Sequence, residues 1–321
     1  PSQFGFRKGK SIAQPIHIYR RIQEIHEEAG LELVTIFLDW EKAFDKINQR
    51  KLVIALRRIG IPEKVVRVIG AIYRNPKFSV KEMGKRSTER RQCSGIRQGC
   101  PLSPYLFIMV MTVIMRDIDE RLTQGERNIL NEEQPRGANG QDRLLYADDT
   151  LILASSNRAA EILLHKVQEE SDKYNMKLNQ KKCVLLGMNS LGGVQYIDGE
   201  HMPVADRAPY LGTNMSARGN PHFEISTRIA ATTITLNKLD LFWKKAPGHC
   251  DKGVECLALR LQHVLHRGVL GQVGAVGGAA VLVGFGLVDG HQANQSIDTH
   301  LTQYIPIVYA LPGQGHLLQR A

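Results

Sequence analysis

Tyr146-Ala147-Asp148-Asp149 lies between two short runs, Arg143–Tyr146 and Thr150–Ala154, that are rich in Leu, Ile and Tyr. Such runs, broken by turn-forming residues, predict two strands with the acidic pair in the tight turn between them. Alone, Asp-Asp in a turn has an ordinary explanation, because Asp suits turns. Its meaning depends on a second segment. Leu33-Val34-Thr35-Ile36-Phe37-Leu38 is a run of β-formers that reads as a buried strand, and Asp39 stands where that strand ends. Buried strands hold their ends at fixed positions, so two strand ends side by side would gather carboxylates from distant parts of the chain. Nucleotidyl transfer uses such a cluster: two Mg²⁺ ions about 3.5–4 Å apart bind both the attacking and the leaving oxygens. Magnesium takes hard oxygen ligands, usually one or two protein carboxylates completed by substrate phosphates.

Outward from this hairpin the chain reads as a mixture of helices and strands. Ser11 precedes an apolar series at Ile12, Ile16, Tyr19 and Ile22, which predicts a Ser-capped helix ending near Gly30. Helices are expected around 51–59 and 63–74, separated by Gly60 and Pro62. Residues 77–83 and 87–93 read as a hairpin across Gly84, and Pro104 opens a long apolar helix reaching about Leu122. Residues 123–142 are polar and hold Pro135 and three glycines, so they read as a loop. A helix from about Arg158 to Tyr174, short strands at Val184–Leu186 and Gln195–Ile197, and a helix over 223–245 complete the pattern.

The character changes near residue 246. Beyond it 8 of 76 residues are charged, against 66 of 245 before. Residues 268–288 are uncharged, long enough for the roughly 20 residues a membrane span needs, but they hold seven glycines. Glycine at that density argues against a span, and the tail reads as disordered or as translation outside the true frame. The sequence opens on Pro1 rather than Met, with no signal peptide, and is read as a piece of something longer.

Charge points to a polyanionic partner. The 321 residues carry a net charge of +10, and residues 1–100 hold 21 Lys and Arg against 10 Asp and Glu. That excess favours nucleic acid without distinguishing DNA from RNA. The five cysteines, at 93, 100, 183, 250 and 256, are odd in number and contain no CxxC pair. Neither a disulfide framework nor a zinc site is indicated, a reducing compartment is the default, and the thiols read as small buried residues.

Taken in order, the segments resemble the reverse transcriptases of non-LTR (LINE-like) retrotransposons. Tyr146-Ala147-Asp148-Asp149 resembles polymerase motif C, Phe37-Leu38-Asp39-Trp40-Glu41-Lys42-Ala43-Phe44-Asp45 resembles motif A, and the stretch from Ser94 to Pro104 (Ser-Gly-Ile-Arg-Gln-Gly-Cys-Pro-Leu-Ser-Pro) resembles motif B. The stretch from Gln3 to Ser11 is similar to the segment that precedes motif A. Leu178-Asn179-Gln180-Lys181-Lys182 and Tyr210-Leu211-Gly212 resemble, less specifically, motif D and the primer grip of motif E. The resemblance covers roughly residues 1–245.

The resemblance implies an α+β right-hand polymerase fold whose palm is an antiparallel sheet backed by helices. It divides the chain into partial fingers (1–32), a palm with a fingers insertion carrying motifs A to D (33–205), the primer grip and start of a truncated thumb (206–245), and the Gly/Val-rich tail (246–321). It makes Asp39, Asp148 and Asp149 the catalytic carboxylates and metal ligands, with the backbone carbonyl of Trp40 a further ligand. Phe44 would be the steric gate that excludes a ribose 2′-hydroxyl. Gln98 would lie beside the incoming nucleotide, and Gly99 would let backbone approach closely. Lys182 would be the general acid for pyrophosphate; by spacing alone Lys181 serves as well, and a solvated charge is the plain alternative. Arg7, Lys8 and Lys10 would contact template or triphosphate, or form only a basic loop. Asp45 would cap the following segment, and Tyr146 would support the turn and touch the primer end.

The implied cofactor is a pair of Mg²⁺ ions, with Mn²⁺ as a substitute. The implied partners are an RNA template, a DNA primer and dNTPs; no membrane or protein partner is indicated. The expected location is intracellular, and nuclear at the site of action. No endonuclease, Cys/His knuckle or RNase H segment is visible. Two alternatives stand beside the polymerase: a non-catalytic RNA-binding remnant of the same fold, and a group II intron maturase-like enzyme, against which the form of motif A argues.

Overall fold

A computed structural model describes residues 3–219 and 222–245, without the side chains of 236 and 239–245. Its centre is β1 (Leu33–Leu38), buried at all six positions. A strand is buried throughout only when both faces of its sheet are covered. The sheet has the order β6-β7-β1-β8, where β6 is Arg143–Tyr146, β7 is Asp149–Ala154 and β8 is Val184–Met188. Every neighbouring pair is antiparallel.

Strand alternation sorts the side chains into two cores. Val34, Ile36, Leu38, Leu145, Ile152 and Leu185 pack with α3 (Gln49–Arg58), α4 (Glu63–Arg74), α5 (Ser103–Arg121) and α7 (Asn157–Asp172). Leu33, Phe37, Leu144, Leu151, Leu153 and Leu186 pack with α1 (Ala13–Glu28) and a hairpin of β9 (Arg207–Tyr210) and β10 (Thr213–Ser216). Each aliphatic side chain fully buried here contributes about 1.5–3 kcal/mol. Because both faces are apolar, a one-residue slip of β1 would exchange its two side-chain sets between cores of different shape.

The remaining elements, among them the single turn α2 (Ala43–Lys46), largely follow local rules. Asn48 caps α3 by accepting from the amides of Arg50 and Lys51, so the helix starts at Gln49 rather than near Lys51. Ser156 caps α7, and Pro104 sits in the first turn of α5. The basic segment forms β2 (Lys77–Phe78) with β5 (Arg90–Arg91), and β3 (Lys81–Glu82) with β4 (Lys85–Arg86). Its tip, Met83-Gly84, has positive φ at both residues, as a type I′ turn requires. The last described helix is α8 (His222–Lys245).

Three expectations are corrected. Ser11 is not the cap of α1: the helix starts after Ile12 without a side-chain cap, and the Ser11 amide instead donates to Gln14 Oε1 at 3.2 Å. Residues 123–142 are not all loop, because Gln124–Glu132 forms α6. A Thr123–Glu126 capping box starts this helix, which lacks any fully buried residue and therefore any apolar stripe to read. Gln195–Ile197 is not a strand. Tyr196 donates to Glu200 O and Gly199 donates back to Tyr196 O, so the segment closes a turn, with only an isolated bridge from Gln195 to His201.

The Gly/Val-rich tail from 246 lies outside the described residues. Among the described residues no helix is long and apolar enough to cross a membrane. The α6 reading has a direct check. Thr123→Ala removes one side of the capping box, and destabilisation by about 1 kcal/mol is expected in urea unfolding, with faster amide exchange concentrated in 124–132.

Candidate active site

Register brings the acidic residues together. Leu38 lies opposite Thr150, so the next pair along the two strands is Asp39 and Asp149. Tyr146 pairs with Asp149, leaving Ala147-Asp148 as a two-residue turn. Asp39 and Asp149 share the strand parity of Phe37 and Leu151, which places both on the face covered by α1 and the β9–β10 hairpin. Asp148 and Asp149 are exposed, and Asp39 keeps 41% of its side-chain accessibility, so a ligand can reach the group. Although the residue is open to solvent, protein on one side strips part of the hydration from the Asp149 carboxyl and pushes it up to about 6, with the charges of Asp148 and Asp39 adding to the rise. The three carboxylates therefore lie within one another's field.

Several contacts hold this arrangement. Trp40 Nε1 donates to Thr150 Oγ1 (3.2 Å), and the Thr150 hydroxyl donates to the Asp148 carbonyl (3.2 Å). The Trp40 indole thus braces the turn, whereas only its backbone was singled out by the resemblance. The Asp39 carbonyl accepts from the Asn179 amide at 2.8 Å. In this isolated bridge between Trp40 and Leu178 the flanking residues make the bonds, so the Trp40 carbonyl is directed away from Leu178. The Asp39 amide donates to Cys183 Sγ (3.4 Å), a buried thiol whose pKa burial raises. Cys93, by contrast, is exposed rather than the small buried thiol expected. Lys182 Nζ lies 3.9 Å from Asp39 Oδ2, so Lys182 brings its ammonium to the carboxylates.

Motif B packs against motif A. Phe44 stacks on the fully buried Phe107 of α5, with ring centroids 4.6 Å apart and planes 14° from parallel, while its carbonyl accepts from the Ile96 amide. Gln98 Nε2 donates to Asp45 Oδ1 at 3.0 Å. Asp45 therefore joins the two motifs and does not cap α3, which Asn48 does. Gly95, at φ +78, lies where a β-carbon would stand 2.5 Å from the Asp45 carbonyl. Gly99 has φ +81 and open space around it. Asp45, Gln98, Arg97, Phe78, Lys77 and Arg91 line an open cleft of about 750 Å³ that joins this region to the basic hairpin.

Arg7 lies on the N-terminal segment that runs along the acidic turn. Its guanidinium donates to the Gln3 carbonyl at 3.0 Å and so secures the N-terminal segment. Lys10 Nζ sits 5.4 Å from the Phe4 ring centroid. Thr150, Asn179, Phe107 and Gln3 were not found from sequence, because each acts through a contact with a remote residue.

Among the described residues no three His, Cys, Asp or Glu side chains form a ready-made metal cage. The donor set still suits a hard divalent ion, which completes its shell with water and phosphate oxygens. Burial, and then the charges of Asp148 and Asp39, hold the Asp149 carboxyl above its ordinary range. Its folded pKa lies above the ordinary 3.8, so the stability it lends is present below about pH 4 and lost as pH rises through about 6. In chelating buffer, the melting temperature of the wild type should fall relative to that of Asp149→Asn across that interval. At about pH 7.5 the variant should melt above the wild type, because a repelling charge is gone.

Comparison with known proteins agrees with this geometry. The family model described as reverse transcriptase (RNA-dependent DNA polymerase) matches residues 1–215. The Retrovirus-related Pol polyprotein from type-1 retrotransposable element R2 of Nasonia vitripennis is 28% identical over 209 residues, covering 60% of this chain and 19% of that protein. The polyprotein of element R2DM of Drosophila melanogaster is 26% identical over 212 residues, 61% of this chain and 19% of its own length. An R2 polyprotein of Popillia japonica is 30% identical over 190 residues, 55% of this chain and 26% of that protein. The chain thus spans about a fifth of the length of the first two relatives, at 19% each. Among solved structures, apo telomerase from Candida tropicalis truncated from its C-terminal domain is similar at a TM-score of 0.47 and 15% identity, over 68% of this chain and 40% of that one. Enzymes of the matched family use divalent metal ions. With an antiparallel palm-like sheet, acidic strand ends and a family match over two thirds of its length, the chain belongs to the reverse transcriptase family, among those of non-LTR retrotransposons.

Proposed function

We propose that this chain is the catalytic core of an RNA-directed DNA polymerase that adds a dNTP to a primer 3′-hydroxyl against an RNA template. The observation that carries the reading is the meeting of Asp39, Asp148 and Asp149 at one end of the buried sheet. Asp39, Asp148 and Asp149, with the Trp40 carbonyl, would hold two Mg²⁺ ions, which when bound lower the pKa of the primer hydroxyl and neutralise charge on the departing pyrophosphate. Lys182, with its ammonium beside Asp39, supplies a proton to that leaving group.

Phe44 serves as the sugar gate. Its ring is backed by Phe107, so it cannot retreat from a 2′-hydroxyl without unstacking. Gln98 and the open backbone at Gly99 border the incoming nucleotide. The template passes the basic hairpin, where Lys77, Lys81, Lys85, Arg86, Arg90 and Arg91 are exposed together with Phe78. Basic side chains with an exposed ring suit a single strand of nucleic acid. Kinship with retrotransposon Pol polyproteins supports RNA as the template, and nuclear DNA is the site of action that this reading implies. The presence of all three carboxylates favours this reading over a non-catalytic remnant.

Primer extension on an annealed RNA template with Mg²⁺ and dNTPs tests the proposal. Asp148→Asn should lower the rate on the order of 10³-fold or more, the scale of several kcal/mol of lost charge stabilisation, while its circular dichroism stays that of the wild type. Full activity in that variant would refute the metal assignment. Phe44→Val should admit ribonucleotides, read as a fall in the dNTP-to-rNTP ratio of kcat/KM with dNTP incorporation retained.

A further inference from the structure

Ala147 carries a β-carbon yet adopts φ +58 in the left-handed region. For an L-residue that conformation costs about 1–2 kcal/mol and persists only where surroundings impose it. The hairpin ladder closes at Tyr146 and Asp149, which leaves the Ala147 peptide groups outside it. One side chain from the start of the chain meets both of them. Gln3 Oε1 accepts from the Ala147 amide (2.9 Å) and from the Gly5 amide (2.7 Å), while Gln3 Nε2 donates to the Ala147 carbonyl (3.3 Å).

The Gln3 side chain is itself held. The residue is 8% exposed, and the Phe4 amide donates to the Leu145 carbonyl at 2.7 Å on the strand leading into the turn. Phe4 is buried in the core that includes Leu144 and Leu151. Gly5 passes so close that a β-carbon there would stand 2.3 Å from the Ala147 nitrogen. Arg7 fixes the Gln3 carbonyl from the other side.

We propose that Gln3 is a positioning residue for the catalytic turn: its primary amide acts as a surrogate peptide group that sets the Ala147 backbone, and hence the direction in which Asp148 and Asp149 present their carboxylates. The chemistry is specific to an amide of this length. Lys and Arg have no acceptor, Glu keeps the acceptor but loses the donor, and Asn is one methylene shorter. The kinetic consequence rests on the polymerase reading; the backbone consequence does not.

The test uses the full 321-residue chain as wild type, Gln3→Met and Gln3→Glu. Amide exchange is read at 145–150 against β1 and α5, beside single-turnover primer extension and the Mg²⁺-induced rise in melting temperature. In Gln3→Met, exchange at 147–149 should accelerate on the order of tenfold or more, the scale of one or two lost buried hydrogen bonds, with β1 and α5 unchanged. Its extension rate should fall by a similar factor at unchanged KM for dNTP, with a reduced Mg²⁺-induced melting shift. Gln3→Glu, which keeps both amides bonded, should retain protection of the Ala147 amide, and it decides the matter where Gln3→Met does not fold. Wild-type exchange at the turn in Gln3→Met, a uniform loss of protection across all elements, or a loosened turn with undiminished rate would each overturn the assignment. If the wild type extends no primer, the polymerase reading falls, and exchange with the melting shift still decides the role of Gln3.

Discussion

The antiparallel register between β1 and β7 puts two carboxylates side by side at the end of a sheet whose interior is apolar on both faces. Everything else at the site answers to that juxtaposition. Loss of hydration around its carboxyl, and then repulsion from Asp148 and Asp39, makes Asp149 bind its proton more tightly than a free carboxyl would. A surface turn could relax to separate them. Here the strands cannot slip, because Val34, Ile36 and Leu38 face one core while Leu33 and Phe37 face the other. The hydrophobic energy of the sheet thus holds an electrostatic arrangement that would not form by itself, and a divalent cation is the group that relieves it.

Local strain accompanies the repulsion. Ala147 sits in a backbone conformation suited to Gly or Asn, and Lys42, just after motif A begins, does so as well. Rules of local propensity are broken where a site needs a particular geometry, and the breach is sustained by tertiary contacts. Around the acidic turn those contacts come from three directions: the Gln3 amide on Ala147, the Trp40–Thr150 pair on Asp148, and Asn179 on the Asp39 carbonyl. Each joins segments more than 100 residues apart in the chain, so the turn is rigid only in the folded protein.

The charge distribution complements this core. The acidic end of the sheet is small, whereas the hairpin from Lys77 to Arg91 and the cleft beside Gln98 are basic and open. A polyanion is attracted along the basic surface and would be repelled at the carboxylates unless cations neutralise them. The basic surface and the acidic end of the sheet are thus separate parts of the molecule. Phe44, stacked on Phe107 and tied to Ile96, lies in the segment that runs from Asp39 to the cleft residue Asp45.

Much of this was legible in the residues themselves. The strand Leu33–Leu38, the hairpin around Asp148, and the helices α5 and α7 are written in apolar runs, periodicity and end signals, which act over a few neighbours. The acids at the strand ends, Asp39 and Asp148-Asp149, were also legible, since each follows or splits an apolar run, whereas Phe44 and Gln98 entered only through the resemblance of their motifs to a known family. α6 escaped because a polar helix without a buried residue carries its only signal in the Thr123–Glu126 cap, and the stretch around Gln195 misled because burial of Tyr196 resembles a strand where the backbone closes a turn. Spacing could not separate Lys182 from Lys181, give Asp45 its partner Gln98, or single out Gln3. Those outcomes depend on which side chain points where after segments distant in sequence have packed, and only the register of the sheet and the path of the chain ends across it determine that.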